Sequence, residues 1–236
     1  MKVPTYYIAL ILAVACIGCT QATHYDTEIS VLIDRTDRLS VYPTAELILA
    51  LAELTDNTWQ GVKIRVSYIS DKDINEETIF ALPQQNRLWY STKKREAEVA
   101  RFLKNLSLFF ESVDTTSTFG HSIIYRSVAR HANILSTSSA RKKHLLIYSN
   151  MMENSEVWNF YDPATLTVIN ENPEAICQVI ELSAPLGALY GVDIWLLHAP
   201  ATYEENTTYM SVARVWATLF ESKGARVHIQ SAPDEL

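Results

Sequence analysis

The chain reads as an α/β domain: a mainly parallel, Rossmann-like sheet with helices on both faces and one antiparallel edge strand. Three observations predict this. Short apolar runs at Val31-Leu32-Ile33, Leu145-Leu146-Ile147-Tyr148 and Ile194-Trp195-Leu196-Leu197 have the unbroken character of strands covered on both faces. Two of them run straight out into polar residues, at Asp34 and at Ser149-Asn150. Amphipathic helical patterns alternate with the runs along the body, an order that makes parallel sheets.

The elements follow in order. Residues 1–19 read as a leader. After Met1-Lys2, the stretch Tyr6–Ala15 is apolar but shorter than a bilayer span. It ends at Cys16 and Cys19, each preceded by a small residue (Ala15, Gly18). This resembles the lipobox of bacterial lipoproteins and makes Cys16 or Cys19 the expected lipidation site. An ordinary cleaved secretory signal is the competing reading. Residues 20–27 form a short polar tether, and 28–232 the domain. The first strand is Ile29–Ile33. Pro43 opens a helix over Thr44–Leu54, since proline at the first helical position loses no hydrogen bond.

Val62–Ser70 alternates apolar and polar as a half-exposed strand does. Thr78–Leu82 returns antiparallel at the edge and stops at Pro83. Residues 84–92 are irregular. Glu96–Val113 is a strong helix with Val99, Phe102, Leu103, Leu106, Phe109, Phe110 and Val113 on one face. A polar loop leads to a helix over His121–Leu135, then to the strand His144–Asn150. Met151–Glu171 is a long connection. Helices over Pro173–Leu182 and Tyr203–Ser222 flank the strand Gly191–His198. Gly224 fits the last helix's C-cap, and Arg226–Gln230 is the final strand.

Composition bounds the function. Of 236 residues, 48% are hydrophobic and 20% charged, ordinary values for one well-filled globular core. The formal charge of −7 argues against nucleic acid, which selects basic footprints. Arg141-Lys142-Lys143 is the one compact basic cluster and reads as a solvated loop before a strand. The body holds a lone cysteine, Cys177, so no disulfide framework exists there, and Cys177 reads as a buried small hydrophobe.

Three loops should meet at the carboxyl ends of the central strands, around residues 34–40, 115–122 and 149–155. Open α/β sheets bind ligands there. All three loops are rich in oxygen side chains, which suit hard cations such as Mg²⁺. The order strand, Asp-x-Thr loop, helix, hairpin, helix, Thr-rich loop, helix, strand ending in Ser-Asn resembles the von Willebrand factor type A (vWA) domain, over about residues 28–230. That resemblance implies a metal-ion-dependent adhesion site. On this chain Asp34 matches its first carboxylate, Thr36 its first hydroxyl and Thr118 its middle threonine. Asn150 stands where the last Asp belongs, and Arg38 where the second hydroxyl belongs. Both departures lower affinity for a divalent ion, because Arg does not deprotonate and Asn carries no charge. The site is therefore expected to hold no ion or to bind Mg²⁺ only weakly, with an Arg38–Asp34 ion pair in the metal's place.

The implied role is non-catalytic: a protein-binding or scaffolding domain, held at the cell envelope by its lipid and facing the periplasm or the cell surface. Trp158, Phe160 and Tyr161 are candidate partner contacts, since aromatics anchor interfaces; packing over the sheet edge is the alternative. A hydrolase or phosphotransferase using Asp34 is the competing activity. The haloacid-dehalogenase pattern would need a second Asp at Thr36, and G-x-S-x-G, P-loop and H-E-x-x-H motifs are absent. An accessory role in an envelope secretion or conjugation machine is a third reading.

Overall fold

The computed structural model describes residues 23–113 and 120–231. Its centre is a six-stranded sheet, with β1 Thr27–Asp34, β2 Val62–Ile69, β3 Glu77–Leu82, β4 Lys142–Tyr148, β5 Val192–Leu197 and β6 Arg226–Gln230. The strand order is β3-β2-β1-β4-β5-β6. All neighbours are parallel except β2 and β3. Every residue of β1 is buried, as befits a strand with parallel partners on both edges and helices on both faces. The edge strand β3 is largely exposed.

The period-two alternation of the strands splits the core in two. On one face Ile29, Val31 and Ile33 of β1, with Ile64 and Val66 of β2, pack under α1 (Ala45–Ala52) and α2 (Thr92–Glu111). On the other, Leu32, Leu145, Ile147, Ile194 and Leu196 meet α3 (Ile124–Ser136), α4 (Pro163–Glu171), α5 (Pro173–Ser183) and α6 (Tyr203–Ser222). Helix α2 buries Val99, Phe102 and Leu106, the face that its 3.6-residue period predicts. Trp216 and Phe220 stack within α6 and fill the opposite core.

Several boundaries differ from the sequence reading by a few residues, and two have a clear local cause. Helix α2 begins at Thr92, because Ser91 caps it by accepting from the Lys94 N–H. Helix α3 begins at Ile124, after the Ile123 N–H is taken by Ser70 O. The long connection Met151–Glu171, read from the sequence without a helix, contains α4. Its signals are Asp162 as N-cap and Pro163 in the first turn. It buries only Ile169 fully, so its apolar period is faint. Asn172 ends α4 and caps α5.

Candidate functional site

Order β3-β2-β1-β4-β5-β6 reverses direction between β1 and β4. The loops leaving those two strands diverge to opposite faces, and a crevice opens between them. Asp34, the last residue of β1, lies at this point and is 2% exposed. Its Oδ1 accepts the Thr36 N–H (2.9 Å) and the Thr36 hydroxyl (2.6 Å). Its Oδ2 accepts the Ser149 hydroxyl across the crevice (2.6 Å). Burial pushes the Asp34 carboxyl above its ordinary range, opposed by the bonds from Ser149 and Thr36.

The expected Arg38–Asp34 ion pair is not formed. Arg38 is exposed, and the donors on Asp34 are two hydroxyls and an amide. The physical reason is the tight Asx-type turn: Thr36 folds back onto the carboxylate and closes it from solvent, while the chain carries Arg38 outward. The guanidinium of Arg35 sits 5.0 Å from the Tyr68 ring centroid.

Asn150 is equally committed. Its Oδ1 accepts the Met152 N–H (2.9 Å) and its Nδ2 donates to Asp37 Oδ2 (2.8 Å). Tyr161 OH donates to the same Asp37 oxygen. A divalent ion of the kind that the vWA resemblance implies would have to displace bonds among these groups. Both Asp34 oxygens, the Thr36 hydroxyl and the Asn150 oxygen already serve internal bonds. Among the described residues no group of three or more His, Cys, Asp or Glu side chains is placed to hold a metal. Thr118, Cys16 and Cys19 lie outside the described residues.

Two side chains that the sequence reading passed over complete this end of the sheet. Glu153 is fully buried, and its Oε2 accepts the Ile124 (2.8 Å) and Tyr125 (3.1 Å) N–H groups. Ile123, the N-cap of α3, has no side chain able to cap, so Glu153 supplies the cap from a distant loop. Burial raises its carboxyl to about 7. Its Oε1 and the buried Ser122 hydroxyl have no partner among the described residues. Met151, between Asn150 and this loop, is fully buried at φ 61°, a conformation unfavourable for a side chain this large. Met151 N–H donates to Ser149 Oγ, and Met151 O accepts from Trp216 Nε1, which hold it there.

Two clefts open on this framework. One, about 200 Å³, is polar and lined by Thr36, Asp37, Gly120, Ser122, Asn154 and Tyr161 among others. The second, about 390 Å³, is lined by Asn150, Met152, Tyr161, His198, Glu205 and Tyr209 among others. Tyr161 lines both and forms their shared wall. Of the three aromatics proposed as partner contacts, Tyr161 is 46% exposed, whereas Phe160 is fully buried. Phe160 is a core residue, since its N–H bonds to Glu153 O and turns the ring inward. Trp158 is half-buried against it, ring centroids 6.4 Å apart.

Beside the larger cleft, Ser40 Oγ lies 3.2 Å from His198 Nδ1, and His198 Nε2 lies 3.1 Å from Glu205 Oε1. The order of groups resembles a nucleophile, base and orienting acid. The surrounding bonds also make it a strut. Ser40 Oγ also accepts the Ala199 N–H (2.8 Å), and Glu205, in the first turn of α6, accepts the Ala201 N–H (2.7 Å) of the loop before it. It ties the β1 loop to the β5–α6 loop.

No family model matches the chain, and no curated protein matches it. Among the solved structures that it resembles, two align with most of its length. One is the crystal structure of an aerotolerance-related membrane protein from Bacteroides fragilis with multiple mutations to serines. It is 9% identical, and the alignment covers 89% of this chain and 94% of that one, with a TM-score of 0.39. The other is a mutant of the PilB minor pilin from Streptococcus sanguinis. It is also 9% identical, with 92% of this chain and 59% of that one covered and a TM-score of 0.43. At these values the likeness is one of general α/β architecture.

Proposed function

We propose that this chain is a lipid-anchored envelope protein whose vWA-like domain binds a protein partner at the carboxyl ends of β1 and β4, without catalysis and without a metal ion. One observation carries the reading. The crevice is kept as a shaped surface, with two clefts meeting at Tyr161, while the oxygens that would hold an ion are turned inward onto Thr36, Ser149 and Met152. The pattern supports recognition by shape and hydrogen bonding. Asp37, Glu204 and Glu205 line the clefts and would favour a basic or donor-rich segment of the partner. Exposed Tyr203 (88%), between the lining residues Thr202 and Glu204, adds apolar area beside the larger cleft.

An activity using Asp34 finds little support in this geometry. A carboxylate that accepts three hydrogen bonds and is 2% exposed is poorly placed to attack a substrate.

Photocrosslinking from position 161 tests the reading. A benzophenone amino acid replacing Tyr161 should capture one discrete species from membranes, and the same probe at exposed Leu182 should not. The identity of that species decides whether the partner belongs to a secretion or conjugation machine. Equal, diffuse labelling from both positions would remove the proposed binding surface.

A further inference from the structure

In a mainly parallel sheet all the parallel strands begin at one end, and here that is the end opposite the clefts. The described chain enters at this end. His24 O accepts the Gln84 N–H (3.2 Å), and Gly61 O accepts the Asp26 and Thr27 N–H groups. Thr23 and His24 share a cleft with Gln84, Asn86, Trp89 and Tyr90. At the rim of that cleft Leu88 and Trp89 are 83% and 87% exposed.

This apolar knob is held in shape. Asn86 Oδ1 accepts the Leu88 N–H (2.9 Å), and Asn86 O accepts the Trp89 (3.1 Å) and Tyr90 (3.0 Å) N–H groups. Below it Arg95, 1% exposed, donates to the carbonyls of Thr58 (2.6 Å), Pro83 (2.8 Å) and Gln60 (2.6 Å). Two large apolar side chains presented to solvent on a fixed turn require an account, because isolated loops usually carry polar tips.

The same end carries cations on a chain whose formal charge is −7. Arg87, Lys93 and Lys94 are exposed around the knob, and Arg141 is exposed at the start of β4, whose first amides bond Asp26 O. The exposed acids at this end include Glu96, in the first turn of α2, Glu53, which pairs with Lys142, and Asp56, whose N–H bonds Glu53 O. Trp and Leu flanked by Lys and Arg is the composition that settles at a bilayer–water boundary. Reach agrees. From Cys19 to Thr23 is four residues, at most about 14 Å of extended chain, and from Cys16 at most about 25 Å.

We infer that the Leu88-Trp89 turn, with Arg87, Lys93, Lys94 and Arg141, docks on an anionic phospholipid surface beside the N-terminal anchor. The inference rests on the envelope-anchored reading above. Docked this way, the domain stands with its strand-start end on the bilayer. The two clefts then face away from the membrane, open to a partner.

The full chain, reconstituted in phosphatidylcholine–phosphatidylglycerol vesicles with and without brominated acyl chains, provides the test. Wild type should show a bromine-quenched component of its tryptophan emission that Trp89→Phe lacks. Arg87→Glu with Lys93→Glu should reduce that component at least twofold at low salt. Equal quenching of wild type and Trp89→Phe would overturn the docking while leaving anchoring intact, provided the chain floats with the vesicles. A chain that fails to float overturns both.

Discussion

Glu153→Gln is the most informative single change at the site. Glutamine keeps an oxygen for the Ile124 and Tyr125 N–H groups and removes the charge. The folded carboxyl titrates at about 7 against an ordinary 4.5, because burial disfavours the ion. Between these values the folded state binds more protons than the unfolded state, so stability falls as pH rises through the window. A difference of roughly 2.5 units at 1.36 kcal/mol per unit gives a loss of about 3 kcal/mol between pH 4.5 and 8. Below the window the protonated acid and the amide each carry a donor, so wild type and variant should agree within about 1 kcal/mol. Above it the variant should be more stable by about 3 kcal/mol. The raised Asp34 carboxyl adds a fall of the same sign in both proteins; its repulsion of Glu153 is the smallest of the causes acting there, so little of it enters the difference. Urea denaturation at pH 5, 6, 7 and 8 measures the two profiles. Parallel profiles, or a variant less stable at pH 8 than at pH 5 relative to wild type, would refute the assignment of a buried, charge-penalised cap to Glu153.

Three further outcomes follow from the packing. Arg95→Met should lower stability by about 3–5 kcal/mol, since three carbonyls lose a charged donor in a buried place; thermal unfolding reads this directly. Ser40→Ala should cost about 1–2 kcal/mol from the lost bonds to His198 and Ala199, with no change in ester hydrolysis above buffer; an ester-cleaving wild type silenced by this change would make the strut a catalytic group. Gly61→Ala would place a Cβ 2.6 Å from His24 O and 2.7 Å from Gln84 N, so the entering chain and the segment just after β3 must shift. Faster hydrogen exchange at Gln84, Asp26 and Thr27 should report it, at a cost of about 1–3 kcal/mol.

The strands were legible because burial on both faces writes an unbroken apolar run, and β1, β4 and β5 all carry one. The edge hairpin was legible from alternation and Pro83. The crevice was legible too, since the polar residues that stop two runs, Asp34 and Ser149-Asn150, mark the strand ends. What failed depended on side-chain direction. Arg38 is two residues beyond the turn made by Thr36, and nothing in its spacing says that the turn points it outward. Phe160 and Tyr161 are neighbours of like type, yet a single backbone bond from Phe160 N–H to Glu153 O sends one ring into the core and leaves the other at the clefts. Glu153 carried a faint signal: Ile123 at the start of α3 cannot cap, so an acceptor had to come from elsewhere. Helix α4 was missed because one fully buried residue makes no period.

The proposed binding surface needs no ion. Crosslinking from position 161 in membranes treated with EDTA, beside membranes supplied with Mg²⁺ and Mn²⁺, tests it most directly. The predicted result is one discrete partner captured in equal yield under all three conditions. Capture that requires the divalent ion, and that Asp34→Ala abolishes without unfolding the domain, would contradict it.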